Sequence, residues 1–198
     1  MGGRSIAERL KKDSKKTIAD SFNQTSILFA DIVGFTELSS RTSPEELVEI
    51  LNIYFSEFDN LTKKLGIEKI KTIGDAYMAV SGIPIQNNFH AEKIIELAIE
   101  MIKATRKINS AIKQNVIIRI GVNTGSVTAG VIGKNKFIYD VWGDAVNIAS
   151  RMESTGVPDS IQITESSYQL VKDKFPFEYR GKITVKGKGE MPVYLLKV

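Results

Sequence analysis

The fold of this chain can be worked out from one stretch, Ser26-Ile27-Leu28-Phe29-Ala30, which ends at Asp31. Apolar side chains at consecutive positions are typical of a strand that is buried on both faces. A carboxylate is therefore expected where this strand reaches the rim of its sheet. The next residues, Ile32-Val33-Gly34-Phe35-Thr36, read as a short loop whose glycine lets backbone N–H groups approach an anion. The stretch predicts a central strand with an acidic end beside a loop suited to phosphate.

The segments that follow alternate between helix and strand patterns. Ser43-Pro44-Glu45-Glu46 predicts a helix start, with Ser43 as N-cap and Pro44 at the first helical position. A hairpin is expected around Gly74-Asp75, because a short strand pattern lies on each side of this turn. The predicted order is a strand at 26–30, a helix from 43 to 58, strands at 68–72 and 76–81, a helix at 91–109 and a strand at 116–122. This βαββαβ order is that of ferredoxin-like and polymerase-palm domains, which are α+β folds.

The two ends of the chain extend this core. Gly125 and Gly130 are expected to punctuate a further strand pair. A helix at 143–152 and strands at 161–163, 179–185 and 193–196 would complete the C-terminal part. Residues 1–22 are rich in lysine and are interpreted as an N-terminal linker or helix extension. Residues 23–198 are then expected to form one domain, since a chain of this length builds one core of ordinary size.

Composition limits the chemistry. The chain has no cysteine and one histidine, His90, which excludes disulfides, thiolate nucleophiles and histidine-rich metal sites. Any metal should therefore be a hard cation that carboxylates hold. The net charge of +4 comes from 27 basic and 23 acidic residues spread along the chain, so a nucleic-acid partner is not expected. Without a long apolar run the domain is expected to be cytoplasmic, and any tethering to a membrane would come from an upstream region.

Two aspartates are the first candidate site. Asp31 ends the central strand and Asp75 lies in the hairpin turn that this fold places beside it. Two carboxylates side by side repel, and a divalent cation such as Mg²⁺, which uses one or two carboxylates plus phosphate oxygens, would relieve this. The residues alone leave a second interpretation open, in which Asp31 caps a strand and Asp75 is an ordinary turn residue.

Three blocks of sequence resemble one family. They are Phe29 to Thr36, Lys71 to Tyr77 and Tyr139 to Arg151, and they are similar in order and approximate spacing to the signature blocks of class III nucleotidyl cyclase catalytic domains. The resemblance runs from about Gln24 to the C-terminus. It implies a phosphorus–oxygen lyase that forms a cyclic nucleotide for signalling.

The resemblance also implies a set of roles. Two Mg²⁺ or Mn²⁺ ions would be held by Asp31 and Asp75, with the backbone carbonyl of Ile32 as a further ligand. The catalytic pair would be Asn147, which orients the ribose, and Arg151, which stabilises charge on the α-phosphate. The other substrate-binding residues would be Lys186 at the triphosphate, the loop residues Val33, Gly34, Phe35 and Thr36, and Lys71 and Asp140 at the base.

The base-reading residues predict the substrate. In this family, lysine and aspartate at the positions of Lys71 and Asp140 accompany adenine, so the resemblance implies an adenylyl cyclase acting on ATP. Because the family assembles its sites from two catalytic units, a head-to-tail homodimer with two equivalent sites is expected. An upstream regulatory or sensor domain is expected as well. A guanylyl cyclase and a catalytically silent nucleotide-binding regulatory dimerisation module remain the alternatives.

Overall fold

The apolar run at residues 26–30 is the middle of a longer central strand. In the computed structural model, which describes residues 18–133 and 138–198, this strand is β1, Ile18–Ile32. Leu28 and Ala30 belong to one hydrophobic core, whereas Ile27 and Phe29 belong to a second core on the opposite face. The prediction of a strand buried on both faces is confirmed.

The order of the elements follows the predicted one over the first half of the chain. The strands are β1, β2 (Glu68–Ile73), β3 (Ala76–Ser81), β4 (Ile118–Ile132), β5 (Ile138–Trp142), β6 (Ser160–Thr164), β7 (Glu178–Val185) and β8 (Gly189–Lys197). The helices are α1 (Phe35–Arg41), α2 (Pro44–Leu65), α3 (His90–Ile112), α4 (Asp144–Ser154), α5 (Glu165–Val171).

One sheet holds all the described strands. Its order is β2-β3-β1-β4-β6-β8-β7, and β5 pairs with β4 beside this path. Each neighbouring pair among β2, β3, β1 and β4 is antiparallel, and their order is that of a ferredoxin-like sheet, which confirms the predicted α+β class. β6 joins β4 in parallel and starts the C-terminal extension of the sheet.

The helices cover both faces of the sheet. The core on the Leu28 face is filled by side chains of α2 and α3, such as Tyr54 and Ile94. On the Ile27 face, α4 packs through Ala145 and Ala149. The start of α2 is capped as predicted, because the Glu46 N–H donates to Ser43 Oγ at 3.2 Å. None of the helices in the described ranges is long and apolar enough to cross a membrane.

Three features differ from the predicted pattern. Gly125 and Gly130 lie inside the unbroken 15-residue strand β4 and do not separate two strands. At Gly125 the reason is close packing, since a Cβ there would lie 2.8 Å from the Cβ of Ala145 on α4. Helices α1 and α5, of seven residues each, were not predicted because they are too short for a clear apolar period.

The N-terminal part of the domain also begins earlier than the interpretation of residues 1–22 implied. Residues 18–22 belong to β1, where they pair with Val131 to Val127 of β4. Phe22 reaches the second core, which gives this end of the strand an apolar anchor. The rest of the predicted extension, residues 1–17, lies outside the described residues.

Candidate active site

The structure brings the two predicted aspartates together. Ala30 of β1 pairs with Tyr77 of β3, so the β2–β3 turn that carries Asp75 lies beside the end of β1. The two side chains lie close enough for the charge of Asp75 to disfavour the ionised form of Asp31. Burial, then the nearby carboxylates of Asp75 and Glu153, raises the pKa of Asp31 to about 7. An arrangement of this kind favours a cation.

Two further charged residues, Arg119 and Glu153, lie beside Asp31, and the sequence analysis did not identify them. Arg119 lies opposite Asp31 on β4, with its Nη2 atom 3.6 Å from Asp31 Oδ2. Its Nε donates to Glu153 Oε1 on α4 at 2.8 Å. Glu153 is buried, and burial raises its pKa. The one sequence signal for Arg119 is a charge inside an otherwise apolar strand pattern.

The loop after Asp31 has the backbone form that its glycine allows. Gly34 has a φ of 73° and is the N-cap of α1, so Phe35 and Thr36 begin that helix. Val33 N–H donates to Ile117 O at 2.8 Å. The amides that follow Gly34 are then the groups placed to meet an anion. A cavity of about 360 Å³ lies against Ile32, Val33 and Gly34.

The two predicted base-reading residues touch. Lys71 on β2 and Asp140 on β5 form an ion pair with 2.5 Å between Nζ and Oδ2. Asp140 is buried, and its Oδ1 accepts a hydrogen bond from Val141 N–H at 2.8 Å. The backbone contact fixes the carboxylate so that its second oxygen faces Lys71. A donor and an acceptor therefore stand side by side.

A third group of predicted residues shares one cavity. Asn147 and Arg151 on α4 and Lys186, which follows β7, line a space of about 370 Å³. Asp144 and Lys188 form an ion pair of 2.7 Å between Oδ2 and Nζ at its edge. The helical spacing of Asn147 and Arg151 puts both on the α4 face that looks toward β7. The cavity lining does not include Asp31 or Asp75.

One chain thus assembles three separate groups. They are the acidic pair with Arg119, the Lys71–Asp140 pair, and the cavity of Asn147, Arg151 and Lys186. One hairpin carries parts of two groups, because Lys71 lies on β2 and Asp75 lies in the β2–β3 turn. Arg151 stands on α4 with Glu153, whose side chain turns to Arg119 on β4.

Comparison with known proteins identifies the family. The family model described as adenylate and guanylate cyclase catalytic domain matches residues 17–198. An adenylate cyclase of Mycobacterium tuberculosis is 47% identical over 192 residues, which cover 97% of this chain and 43% of the relative. The chain therefore spans less than half the length of this curated relative.

Solved structures agree with this assignment. The guanylate cyclase domain of RhGC from Catenaria anguillulae, in complex with GTP, superposes with a TM-score of 0.86 at 38% identity and covers 90% of this chain and 98% of its own. The adenylyl cyclase CyaB from P. aeruginosa has a TM-score of 0.85 at 30% identity and covers 91% of this chain and 96% of its own. Since the family model covers nearly the whole sequence and both structures share its fold, this chain belongs to the adenylate and guanylate cyclase catalytic domain family.

Proposed function

We propose that this domain is an adenylyl cyclase that converts ATP into 3′,5′-cyclic AMP and pyrophosphate. The observation that carries the choice of ATP is the contact between Lys71 and Asp140. Cyclisation of a nucleoside triphosphate is supported by family membership and by the 47% identity to a relative named adenylate cyclase.

The ion pair explains the preference for adenine. Adenine presents an exocyclic amine that can donate to Asp140, and a ring nitrogen that can accept from Lys71. Guanine presents a carbonyl and an N–H at the corresponding positions, so an acceptor would face the Asp140 carboxylate. Because Val141 N–H holds the other oxygen of Asp140 at 2.8 Å, the carboxylate cannot turn away without losing that bond. Sites of this kind discriminate by up to roughly 10⁴-fold.

The acidic pair fits divalent metal ions. We assign Asp31 and Asp75, with the carbonyl of Ile32, to two Mg²⁺ or Mn²⁺ ions, because cations would compensate the charges of two neighbouring, partly buried carboxyl groups. In the ranges that the structure describes, no cluster of three or more acidic or histidine side chains forms a metal site. Phosphate oxygens and water would then supply the remaining ligands, as is usual for Mg²⁺. Such ions, when bound, lower the pKa of the ribose 3′-hydroxyl and neutralise the triphosphate.

The other residues position the reacting atoms. The ribose 3′-hydroxyl loses its proton to water and its oxygen attacks the α-phosphorus in line, the new P–O bond closes the ring, and the bond to pyrophosphate breaks. Asn147 orients the ribose, and Arg151 donates to the α-phosphate oxygen as charge develops there. Lys186 and the amides that follow Gly34 bind the leaving pyrophosphate. Positioning and charge stabilisation provide most of the catalysis in phosphoryl transfer of this kind.

A head-to-tail homodimer would join the separate groups. Asp31 and Asp75 of one copy would meet the Asn147–Arg151 cavity of a second copy, which gives two equivalent sites. The separation of these groups in one chain supports this arrangement. Activity per molecule should then rise with protein concentration.

Mixing two inactive variants tests both the activity and the dimer. Asp75→Asn and Arg151→Ala are each expected to lose cyclic AMP formation, whereas a 1:1 mixture should recover up to about a quarter of it, because each mixed dimer contains one intact site. Formation of cyclic AMP and cyclic GMP is measured from ATP and GTP with Mg²⁺ and with Mn²⁺. No recovery in mixtures shown to exchange subunits would contradict the shared site.

A guanylyl cyclase is the second candidate, because a solved guanylate cyclase domain with GTP is 38% identical to this chain. Preferential formation of cyclic GMP would favour it and would overturn the role of Lys71 and Asp140. No product from either nucleotide, despite a demonstrated dimer, would favour a silent regulatory dimerisation module.

Regulation belongs to the same proposal. The matched mycobacterial relative is more than twice as long as the aligned region, since 192 residues are 43% of it. We expect an upstream regulatory or sensor domain to control this catalytic unit. A longer form of the protein whose activity stays the same under every stimulus tested would count against this.

A further inference from the structure

Two buried side-chain amides hold the helix that carries Asn147 and Arg151. On β4, Asn123 Nδ2 donates to the Ala145 carbonyl at 2.9 Å, in the first turn of α4. On β6, Gln162 Nε2 donates to the Met152 carbonyl at 3.0 Å, in the last turn. Only 3% of Asn123 and 0% of Gln162 is exposed. We infer that Asn123 and Gln162 are positioning residues of the active site, which together fix the place of α4 on the sheet.

The end of α4 needs such a partner. The last four carbonyl groups of a helix have no N–H partner within the helix itself. The Met152 carbonyl is one of these groups, and it faces the interior, where Met152 is fully buried. The Gln162 amide satisfies it, and the same Nε2 reaches Thr155 Oγ1 at 2.9 Å. Without this donor a buried carbonyl would be left unpaired, and the last turn would shift or fray.

Close backbone packing makes the position of α4 sensitive to these bonds. A Cβ on Gly121 of β4 would lie 1.9 Å from Glu153 N, so the end of α4 rests directly on the strand. Gly121 pairs with Gln162 across β4 and β6, which puts the amide beside this contact. Ala145 rests on Gly125 in the same manner at the start of the helix. Each end of α4 therefore has one close contact with a glycine of β4 and one hydrogen bond from a side-chain amide.

The amides also connect α4 to the other parts of the site. Gln162 Oε1 accepts from Arg180 Nη1 on β7, the strand that leads to Lys186. Asn123 Oδ1 accepts from Thr164 Oγ1 at 2.8 Å, at the junction of β6 and α5. Through Gln162, the helix with Arg151 and the strand before Lys186 are fastened to one point. The two amide contacts on α4 are seven residues apart, about 10 Å along the helix, and Asn147 and Arg151 lie between them.

The inference rests on the proposed function, because it concerns the geometry in which Asn147 and Arg151 act. Displacement of reacting groups by about 1 Å can lower a rate by about 10²-fold. Loss of either amide donor should therefore lower kcat at least about tenfold, with a change in KM for ATP of less than about threefold.

Nearly isosteric variants isolate the donor. Gln162→Glu keeps the acceptor for Arg180 and removes the N–H that reaches Met152. Asn123→Asp keeps the acceptor for Thr164 and removes the N–H that reaches Ala145. Asn109→Asp is the matched control, since the Asn109 amide donates to Val116 O at 2.7 Å and fastens α3, which carries no proposed site residue.

Three measurements decide the question: kcat and KM for ATP, the melting temperature, and hydrogen–deuterium exchange of the α4 amides. We expect Gln162→Glu and Asn123→Asp to speed exchange across residues 144–154 and to lower kcat, whereas Asn109→Asp lowers the melting temperature without either effect. Unchanged α4 exchange, or an unchanged kcat well below the melting temperature, would overturn the inference. A wild-type chain inactive on ATP and GTP would overturn the proposed function instead, and exchange alone would then decide whether the amides hold α4.

Discussion

Asp31 and Asp75 should make the stability of the protein depend on bound metal. The variant Asp75→Asn should change the order of stability between variant and wild type when metal is added. In Asp75→Asn the carboxylate that faces Asp31 is replaced by a neutral amide of the same shape. We expect this variant to be more stable than the wild type without metal, and less stable than the wild type with saturating Mg²⁺ or Mn²⁺. The two stability curves should therefore cross as metal is added.

The magnitude follows from the pKa of Asp31. Its rise from 3.8 to about 7 corresponds to at most about 4 kcal/mol. Solvent screening reduces this value, because 24% of the Asp31 side chain is exposed. Burial is the largest cause and Asp75 is the second, so we assign about 1 kcal/mol to Asp75. Metal at a hundred times its Kd should stabilise the wild type by about 2.7 kcal/mol and the variant by far less.

The pH dependence has a defined sign. Because the pKa of Asp31 is higher in the folded state, the contribution of this group to the stability of the metal-free wild type is fully present below about pH 4 and is lost as the pH rises through about 7. The gain from Asp75→Asn should therefore be largest near pH 8 and absent near pH 4. Urea unfolding with and without Mn²⁺ measures it, and Asp173→Asn, an exposed acid, is the control. A variant that is destabilised without metal and keeps the full metal response would refute the argument.

Three further outcomes are expected. Lys71→Glu combined with Asp140→Cys should move the preference from ATP toward GTP by roughly 10²–10⁴-fold, as measured by kcat/KM for both nucleotides. Gly121→Ala should destabilise the domain by about 3 kcal/mol, because a methyl group meets the backbone of Glu153, and urea unfolding checks it. Burial lowers the pKa of His90, so stability should fall as the pH drops below about 6.5. His90→Gln should flatten this acid-side slope in thermal unfolding.

Each of these outcomes has a result that would contradict it. A double variant that still prefers ATP would remove Lys71 and Asp140 from base recognition. Wild-type stability in Gly121→Ala would mean that α4 can lift off β4 at little cost. An acid-side slope that is the same in His90→Gln would assign the pH dependence to other groups.

Local signals were enough to predict the first half of the fold. The capping pattern at Ser43 and the glycine turn before Asp75 each depend on residues within a few positions, and both elements formed where they were expected. Alternation of helix and strand patterns then limited the topology to one familiar order. Short elements were not predicted. The seven residues of α5, for example, contain too few apolar positions to show a helical period.

The candidate site was predictable only in part. The resemblance supplied the roles proposed for the site residues, yet it did not reveal that Lys71 and Asp140, 69 positions apart, bond to each other. Arg119 and Glu153 were missed for a related reason. Their place beside Asp31 depends on the register between β1 and β4 and on the close packing of α4 against Gly121. Neither the register nor the packing can be deduced from residue spacing.

Lys71 and Asp140, the proposed base-recognition groups, form an ion pair with each other. A base that binds to these two side chains has to replace the ion pair between them, because neither side chain is an unpaired hydrogen-bonding group. A ring that matches both groups replaces the bond with two new ones, whereas a ring that matches one group leaves the other charge unpaired. Under the proposed function, the loss of this ion pair is compensated only by a matched base, so a mismatched base would dissociate before the reacting atoms were aligned.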